Sequence, residues 1–269
     1  MSHLCGVLNL PALSVGAPKL LDRIQHEDLS LKELSEHLRL DPGIGARLLH
    51  IANSPFFGVS GQISSVEEAL MMLGMRRARS FIQVEVLKGL VQTPPWNSID
   101  LSVLWKRSLA MGAACQVLAE KAGFTDSDAF TAGLFHNLGC LVMLHQFPAE
   151  YPELLTSEAK GHTLLLEEQA LFLTDHAEMG SAVLSEWNFP QDISKAAEAQ
   201  YAAPGVEDAL LQNILQIAHL LLDGQPQSAF IPTEVFRRLN LPAPQEPGFD
   251  VLVEDIQKAT AELMNLLGD

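Results

Sequence analysis

Apolar residues recur along the chain at spacings of three and four and almost nowhere alternate with polar ones, a pattern that predicts helices throughout. The starts of several helices can be read from their first residues. In Ser30-Leu31-Lys32-Glu33 and Ser65-Val66-Glu67-Glu68 a serine precedes a glutamate by three positions. The serine oxygen can then accept from a free amide of the first turn while the glutamate reaches back to the serine's own amide. Asp41-Pro42 sets a capping side chain before a proline, whose missing N–H is no loss at a first helical position. Asp126, Asp175 and Asp250 precede further apolar-periodic segments and are expected to cap them, and Gly224 is expected to stop the run that ends Leu220-Leu221-Leu222-Asp223. In the last segment Ile256, Leu263 and Leu267 mark one face, with Asp255, Lys258 and Glu262 off it. With no long alternating run and no Asn-Gly turn, the fold class is all-α.

Thr93-Pro94-Pro95-Trp96-Asn97-Ser98 is the strongest internal break, because two prolines stop the helix before them. It separates an N-terminal helical lobe, residues 1–95, from a helical bundle, residues 96–269. A second irregular stretch, Leu241 to Gly248, precedes the final helix. Charge also divides at the first break: the two signs cancel in the first lobe, and the whole net charge of −16 falls in the second. An acidic half repels phosphate backbones, so no nucleic-acid partner is expected. The longest apolar run, Leu138 to Leu144, is too short to span a bilayer. The opening MSHLCGVLNLPALS lacks a basic stretch and a small-residue cleavage site, so neither a signal peptide nor a membrane partner is expected. Cys5, Cys115 and Cys140 are scattered and odd in number, which suits reduced thiols in a cytoplasm better than a disulfide framework or a zinc site.

The stretch that raises a chemical question is FTAGLFHNLGCL, residues 130–141. Phe130, Leu134, Leu138 and Leu141 form an apolar stripe, and Ala132, Gly133 and Gly139 are small enough to admit a neighbouring helix. The segment therefore reads as one central, buried helix, with His136 and Asn137 as buried polar groups in need of partners. Other signals are weaker. Arg76, Arg77 and Arg79 read as a solvated helix start. The segments 31–39 and 42–53 imitate a helix-turn-helix, but the second holds Leu48, Leu49 and Ile51 where a recognition helix needs polar side chains, and it reads as core. Phe56 and Phe57 are expected to close the first lobe's core. Ser54, Ser60 and Ser64 lack the context of a serine nucleophile. No Walker loop or dinucleotide fingerprint appears, and no cofactor is expected.

Taken in order, LPALS (Leu10 to Ser14), LDPGIGARLLHIANSPFFGVSGQISSVEEALMMLGMRRAR (Leu40 to Arg79), Trp105-Lys106-Arg107-Ser108, GLFHNLG, DHAEMGSAVLSEWNFP (Asp175 to Pro190) and LQIAHLLLDG (Leu215 to Gly224) resemble the HDOD domain, the HD-related output domain of bacterial signalling proteins. The resemblance covers nearly the whole chain. It implies an HD-like helical bundle with an added N-terminal lobe, a bacterial cytoplasmic setting, and a regulatory role without the catalytic metal of HD phosphohydrolases.

In an active HD enzyme an early His, an adjacent His-Asp pair and a late Asp grip the metal, joined in two-metal relatives by further His residues. Carboxylates supply charge, imidazoles supply lone pairs, and the cation acidifies a bound water. Carried onto this sequence, the early His position is Arg107, which has no lone pair to give and repels a cation. The pair is His136-Asn137, the middle His is His176, a following His-His position falls on Gln200-Tyr201, and the late Asp falls near His219. No metal and no catalytic residue are expected. The reading is a non-catalytic signalling module that contacts separate partner proteins; Arg107 is expected to pair with a nearby Asp or Glu or, if it lines the old metal cavity, to suit a small anionic ligand. Two alternatives stay open. One is a phosphohydrolase that holds a divalent metal through His136 and His176 with His219 or Asp175 as substitute ligands, and the other is an anion- or nucleotide-binding sensor.

Overall fold

The computed structural model describes residues 30–39, 42–57, 63–90, 99–124, 128–157, 159–186, 189–205, 208–222 and 231–265. The expectations placed on Leu10 to Ser14, Cys5, Asp41, the Pro94-Pro95 break, Asp126, Gly224 and Leu267 lie outside them. Every regular element among the described residues is helical, and no strand occurs there. The chain divides between residues 97 and 98 into two compact units.

The first unit contains α1 (Leu31–Arg39), α2 (Pro42–Ala52), a 3-10 turn (Pro55–Phe57), α3 (Val66–Leu73) and α4 (Met75–Leu90). Both capping boxes form. Ser30 Oγ accepts from the Glu33 amide at 3.2 Å while Glu33 accepts from the Ser30 amide at 2.9 Å, and Ser65 and Glu68 repeat the exchange at the start of α3. α3 packs on α1, α2 and α4. Leu34, Leu38, Ile44, Leu48, Leu70 and Phe81 are buried in this unit, so α2 is core. The Asn53 amide accepts from the Ile63 amide at 3.0 Å and donates to its carbonyl at 2.8 Å, which ties the end of α2 to the approach of α3. Phe57 meets Phe81 edge to face, with both Phe56 and Phe57 half-buried.

In the second unit α5 (Leu101–Lys121) is the central rod, capped by Asp100, whose Oδ1 accepts from the Ser102 amide at 2.9 Å. Around it come α6 (Ala129–Phe135), α7 (Leu138–Gln146), α8 (Tyr151–Thr156), α9 (His162–Phe172), α10 (His176–Glu186), α11 (Gln191–Glu198), α12 (Leu210–Leu222), α13 (Thr233–Arg238) and α14 (Phe249–Asn265). α5 is packed against α6, α12 and α14, α7 against α10, α10 against α11, and α11 against α12. Small residues permit the tightest crossings. A Cβ on Gly133 would lie 2.5 Å from the Met111 carbonyl oxygen, and one on Gly139 only 1.7 Å from that of His176. Ile256 and Leu263 face inward on α14 while Lys258 is exposed.

Two expectations need correction. The stretch from Phe130 to Leu141 is two helices, with a break at His136-Asn137. At the break Asn137 leaves helical geometry (φ −94°, ψ 11°), and the His136 ring lies against the Gly133 carbonyl. Asp250 is not a cap, because α14 already begins at Phe249; Gly248, at φ 95°, provides the turn before it, in a region open to glycine. Asp175 does cap α10, accepting from the Glu178 amide at 2.8 Å.

Candidate functional site

The break between α6 and α7 sets His136 and Asn137 at the heart of the second unit, where His136 is fully buried and Asn137 5% exposed. His136 Nδ1 lies 2.7 Å from the Gly133 carbonyl. A carbonyl can only accept, so Nδ1 carries the proton and Nε2 keeps its lone pair. Among the described residues no hydrogen-bond partner reaches that Nε2. Burial, and then the nearby charges of His219 and Arg107, push the His136 pKa well below 6.5.

This has a measurable consequence. The unfolded chain protonates His136 near pH 6.5 and the folded chain does not, so the stability this histidine contributes is complete above that pH and is lost as pH falls. Unfolding at stepped pH should show stability dropping by up to about 1.4 kcal/mol per pH unit below 6.5 from this group alone, and His136→Gln should remove that part of the slope.

Gln200 follows α11 and His219 sits in α12. The Gln200 side-chain Nε2 donates to the His136 carbonyl at 3.1 Å, which turns its Oε1 toward His219 and makes His219 Nε2 the donor of a 3.0 Å hydrogen bond. The His136 and His219 rings are 4.9 Å apart, centroid to centroid. Tyr201 lies 4.6 Å from the His219 ring and 5.5 Å from that of His176. Asn137 Oδ1 accepts a weak bond from the Cys140 thiol, whose pKa burial pushes up to about 12. Cys115 and Cys140 are both buried and free.

His176 opens α10 and is held from behind. Its Nδ1 lies 2.7 Å from Glu168 Oε2, its backbone amide donates to the same oxygen at 2.9 Å, and Tyr151 donates to Glu168 Oε1 at 2.7 Å. Glu168, Tyr151 and His176 all have no exposed surface. His176 Nε2 is buried and has no hydrogen-bond partner among the described residues. Sequence reasoning missed Glu168 and Tyr151. Their signal was faint: Glu168 follows Leu164 by four positions and so shares the buried stripe of α9, an odd place for an acid.

Arg107, Asn137, His176, Gln200, Tyr201 and His219 line one cavity of about 590 Å³. His136 backs that wall through its contact with His219. The seven candidate residues therefore come together. Lys160, also unforeseen, joins the wall, and its ammonium donates to the carbonyls of Ser157 and Leu155. Asp100 is the one carboxylate among the described lining residues, and it is exposed. Asp175, expected as a possible substitute metal ligand, is absent from the wall: its two oxygens serve the Glu178 amide and Gln169. Among the described residues no three His, Cys, Asp or Glu side chains are grouped so as to hold a metal ion.

The all-helical architecture, with a bundle around a cavity in its second unit, is that of HD-domain-like proteins. Residues 10–203 match the model of the HDOD domain, and the chain belongs to that family. A crystal structure of a candidate phosphohydrolase from Shewanella amazonensis SB2B is similar over 98% of this chain and 97% of its own, at 25% identity and a TM-score of 0.72. An HDOD domain protein of unknown function from Geobacter sulfurreducens is similar over 98% and 96%, at 22% identity and a TM-score of 0.72. An uncharacterized protein of Treponema pallidum (strain Nichols) is 23% identical over 250 residues, 88% of this chain but 47% of the relative, so the chain spans about half of that protein's length. No helix among the described residues is long and apolar enough to cross a membrane.

Proposed function

We propose that this chain is a non-catalytic regulatory module of bacterial cytoplasmic signal transduction, which works through contacts with partner proteins and holds no divalent metal at the HD position. The observation that carries this reading is the donor set of the cavity. A divalent cation needs several lone pairs and compensating negative charge. The deep wall offers the guanidinium of Arg107, the amides of Asn137 and Gln200, and a His219 nitrogen committed to Gln200. The imidazole nitrogens His136 Nε2 and His176 Nε2 are buried and accept no hydrogen bond from the described residues, and the one carboxylate among the described lining residues, Asp100, accepts from the Ser102 amide at the start of α5. Contacts with partners gain support from α9 and its end, where Leu166, Leu171 and Leu173 are 54%, 64% and 91% exposed.

One observation favours a second reading, a metal-dependent phosphohydrolase. A carboxyl group behind an imidazole, as Glu168 stands behind His176, is the usual support of a metal-bound histidine. The same support equally well fixes a ring that holds no metal. The two readings separate in an assay of bis(p-nitrophenyl) phosphate with added Mn²⁺. The regulatory reading expects no turnover above that of His136→Ala. Metal-dependent hydrolysis that disappears in His136→Ala would establish the enzyme instead.

A further inference from the structure

The leucines on the outer face of α9 and at its end serve neither the core nor the backbone. We infer that they form the docking surface for a cationic amphipathic helix of a partner protein, which lays apolar side chains on Leu166, Leu171 and Leu173 and sets lysines or arginines against Glu167 and Glu178. The inference rests on the regulatory reading and gives its partner a chemistry.

Leu173 is the clearest sign. It ends α9 at φ 59°, the left-handed conformation that glycine usually takes after a helix, and its amide donates to the Gln169 carbonyl at 3.1 Å. A leucine in that conformation strains the backbone, and at 91% exposure no burial offsets the strain. Leu166 and Leu171 are exposed on the same helix, as is Ala170, one turn after Leu166. α9 already has an inward side in Leu164 and Glu168, so the outward leucines are surplus to the packing of the unit.

Charge selects the occupant. Between Lys160 and Lys195 the sequence contains no lysine or arginine. α8 and α10 pack on α9 and also lack both, while Glu153, Glu167, Glu178 and Glu186 are exposed on the three helices. Two of these acids border the leucines. Glu167 follows Leu166 and lies one turn before Leu171. The Thr174 hydroxyl donates to Glu178 Oε2 at 2.9 Å, which holds that carboxylate against the residue next to Leu173. Lys160 precedes the opposite end of α9, with its ammonium on the Leu155 and Ser157 carbonyls. An apolar face rimmed by acids attracts a basic amphipathic helix. It repels the same face of a second copy, a nucleic acid and an anionic membrane.

The test is fluorescence anisotropy of the full chain with three labelled peptides of about five helical turns. The first carries leucines at spacings of three and four on one face, flanked by lysines. The second has the same composition with its leucines spread around the helix, and the third has glutamate in place of lysine. In about 50 mM salt the first should bind at least about tenfold tighter than either of the others, and it should weaken several-fold in about 500 mM salt. Leu173→Gly suits the backbone and should leave the thermal midpoint unchanged or higher, yet weaken this Kd about tenfold. Glu167→Gln should weaken it about threefold. Equal binding of the first two peptides would mean charge attraction alone and overturns the inference, as does binding that Leu173→Gly leaves intact. A dimer of the parent chain that Leu173→Gly abolishes, seen by sedimentation, would assign the face to a second copy and overturns it too. The regulatory reading is read separately in the phosphodiester assay: peptides that fail to bind a protein without metal-dependent hydrolysis sink the docking surface alone.

Discussion

Replacing Gly139 by alanine is expected to destabilise the second unit by about 3 kcal/mol or more. The added Cβ would sit 1.7 Å from the backbone oxygen of His176, and 2.7 Å from the Gly180 amide nitrogen. Neither is the tip of a flexible side chain, so the strain cannot be relieved by a rotamer change. α7 and α10 must separate, and with them the two elements that carry Asn137 and His176. The comparison is Gly45→Ala in the first unit, where the new methyl would meet its nearest neighbours at 3.4 and 3.6 Å, ordinary contact distances. Because alanine is the better helix former, that variant should be neutral or slightly more stable. Urea-induced unfolding of the three proteins checks both. A Gly139→Ala protein within about 1 kcal/mol of the parent would mean that the crossing of α7 and α10 is not as close as described.

Truncating Glu168 is the second large effect. Its carboxyl group accepts from a backbone amide, an imidazole and a phenol, all without exposed surface. Glu168→Ala deprives three buried donors of their acceptor and leaves a cavity, and should cost about 3–5 kcal/mol. Glu168→Gln should cost much less, about 1–2 kcal/mol. Its carbonyl can keep the two His176 bonds while its NH₂ turns to Tyr151, whose hydroxyl can reverse from donor to acceptor. Tyr151→Phe, which removes one donor together with the bond, should cost about 1 kcal/mol. The ordering Ala, Gln, Phe in urea unfolding is the signature of a shared acceptor. Equal losses for Glu168→Ala and Glu168→Gln would argue that charge rather than hydrogen bonding holds the group.

What could be read from the sequence was mostly what is local or shared with a family. Ser30 with Glu33 and Ser65 with Glu68 were legible as caps because both partners lie within one turn. Gly133 and Gly139 were legible as close approaches, since a helix has little other use for glycine in its interior. The seven candidate site residues came from the resemblance to HD-like domains, motif by motif, and no spacing rule would have joined His136 to His219 across 83 positions. The break at His136-Asn137 was not legible, because the apolar period runs through it and no Gly, Pro or capping box marks it. Asp250 misled because an acid fits either a cap or a first turn. Glu168 stayed hidden for a different reason: an acid on a buried stripe looks like a boundary error until the two donors that need it, from Tyr151 and His176, are in view.

Everything said of function turns on whether a divalent ion occupies the cavity between His136 and His176. Protein purified without chelators and dialysed against Mn²⁺ and Zn²⁺ can be assayed for both elements directly, alongside its concentration. The account predicts far less than one ion per chain, unchanged in Arg107→Ala. One tightly held ion per chain, lost in His176→Ala, would contradict it.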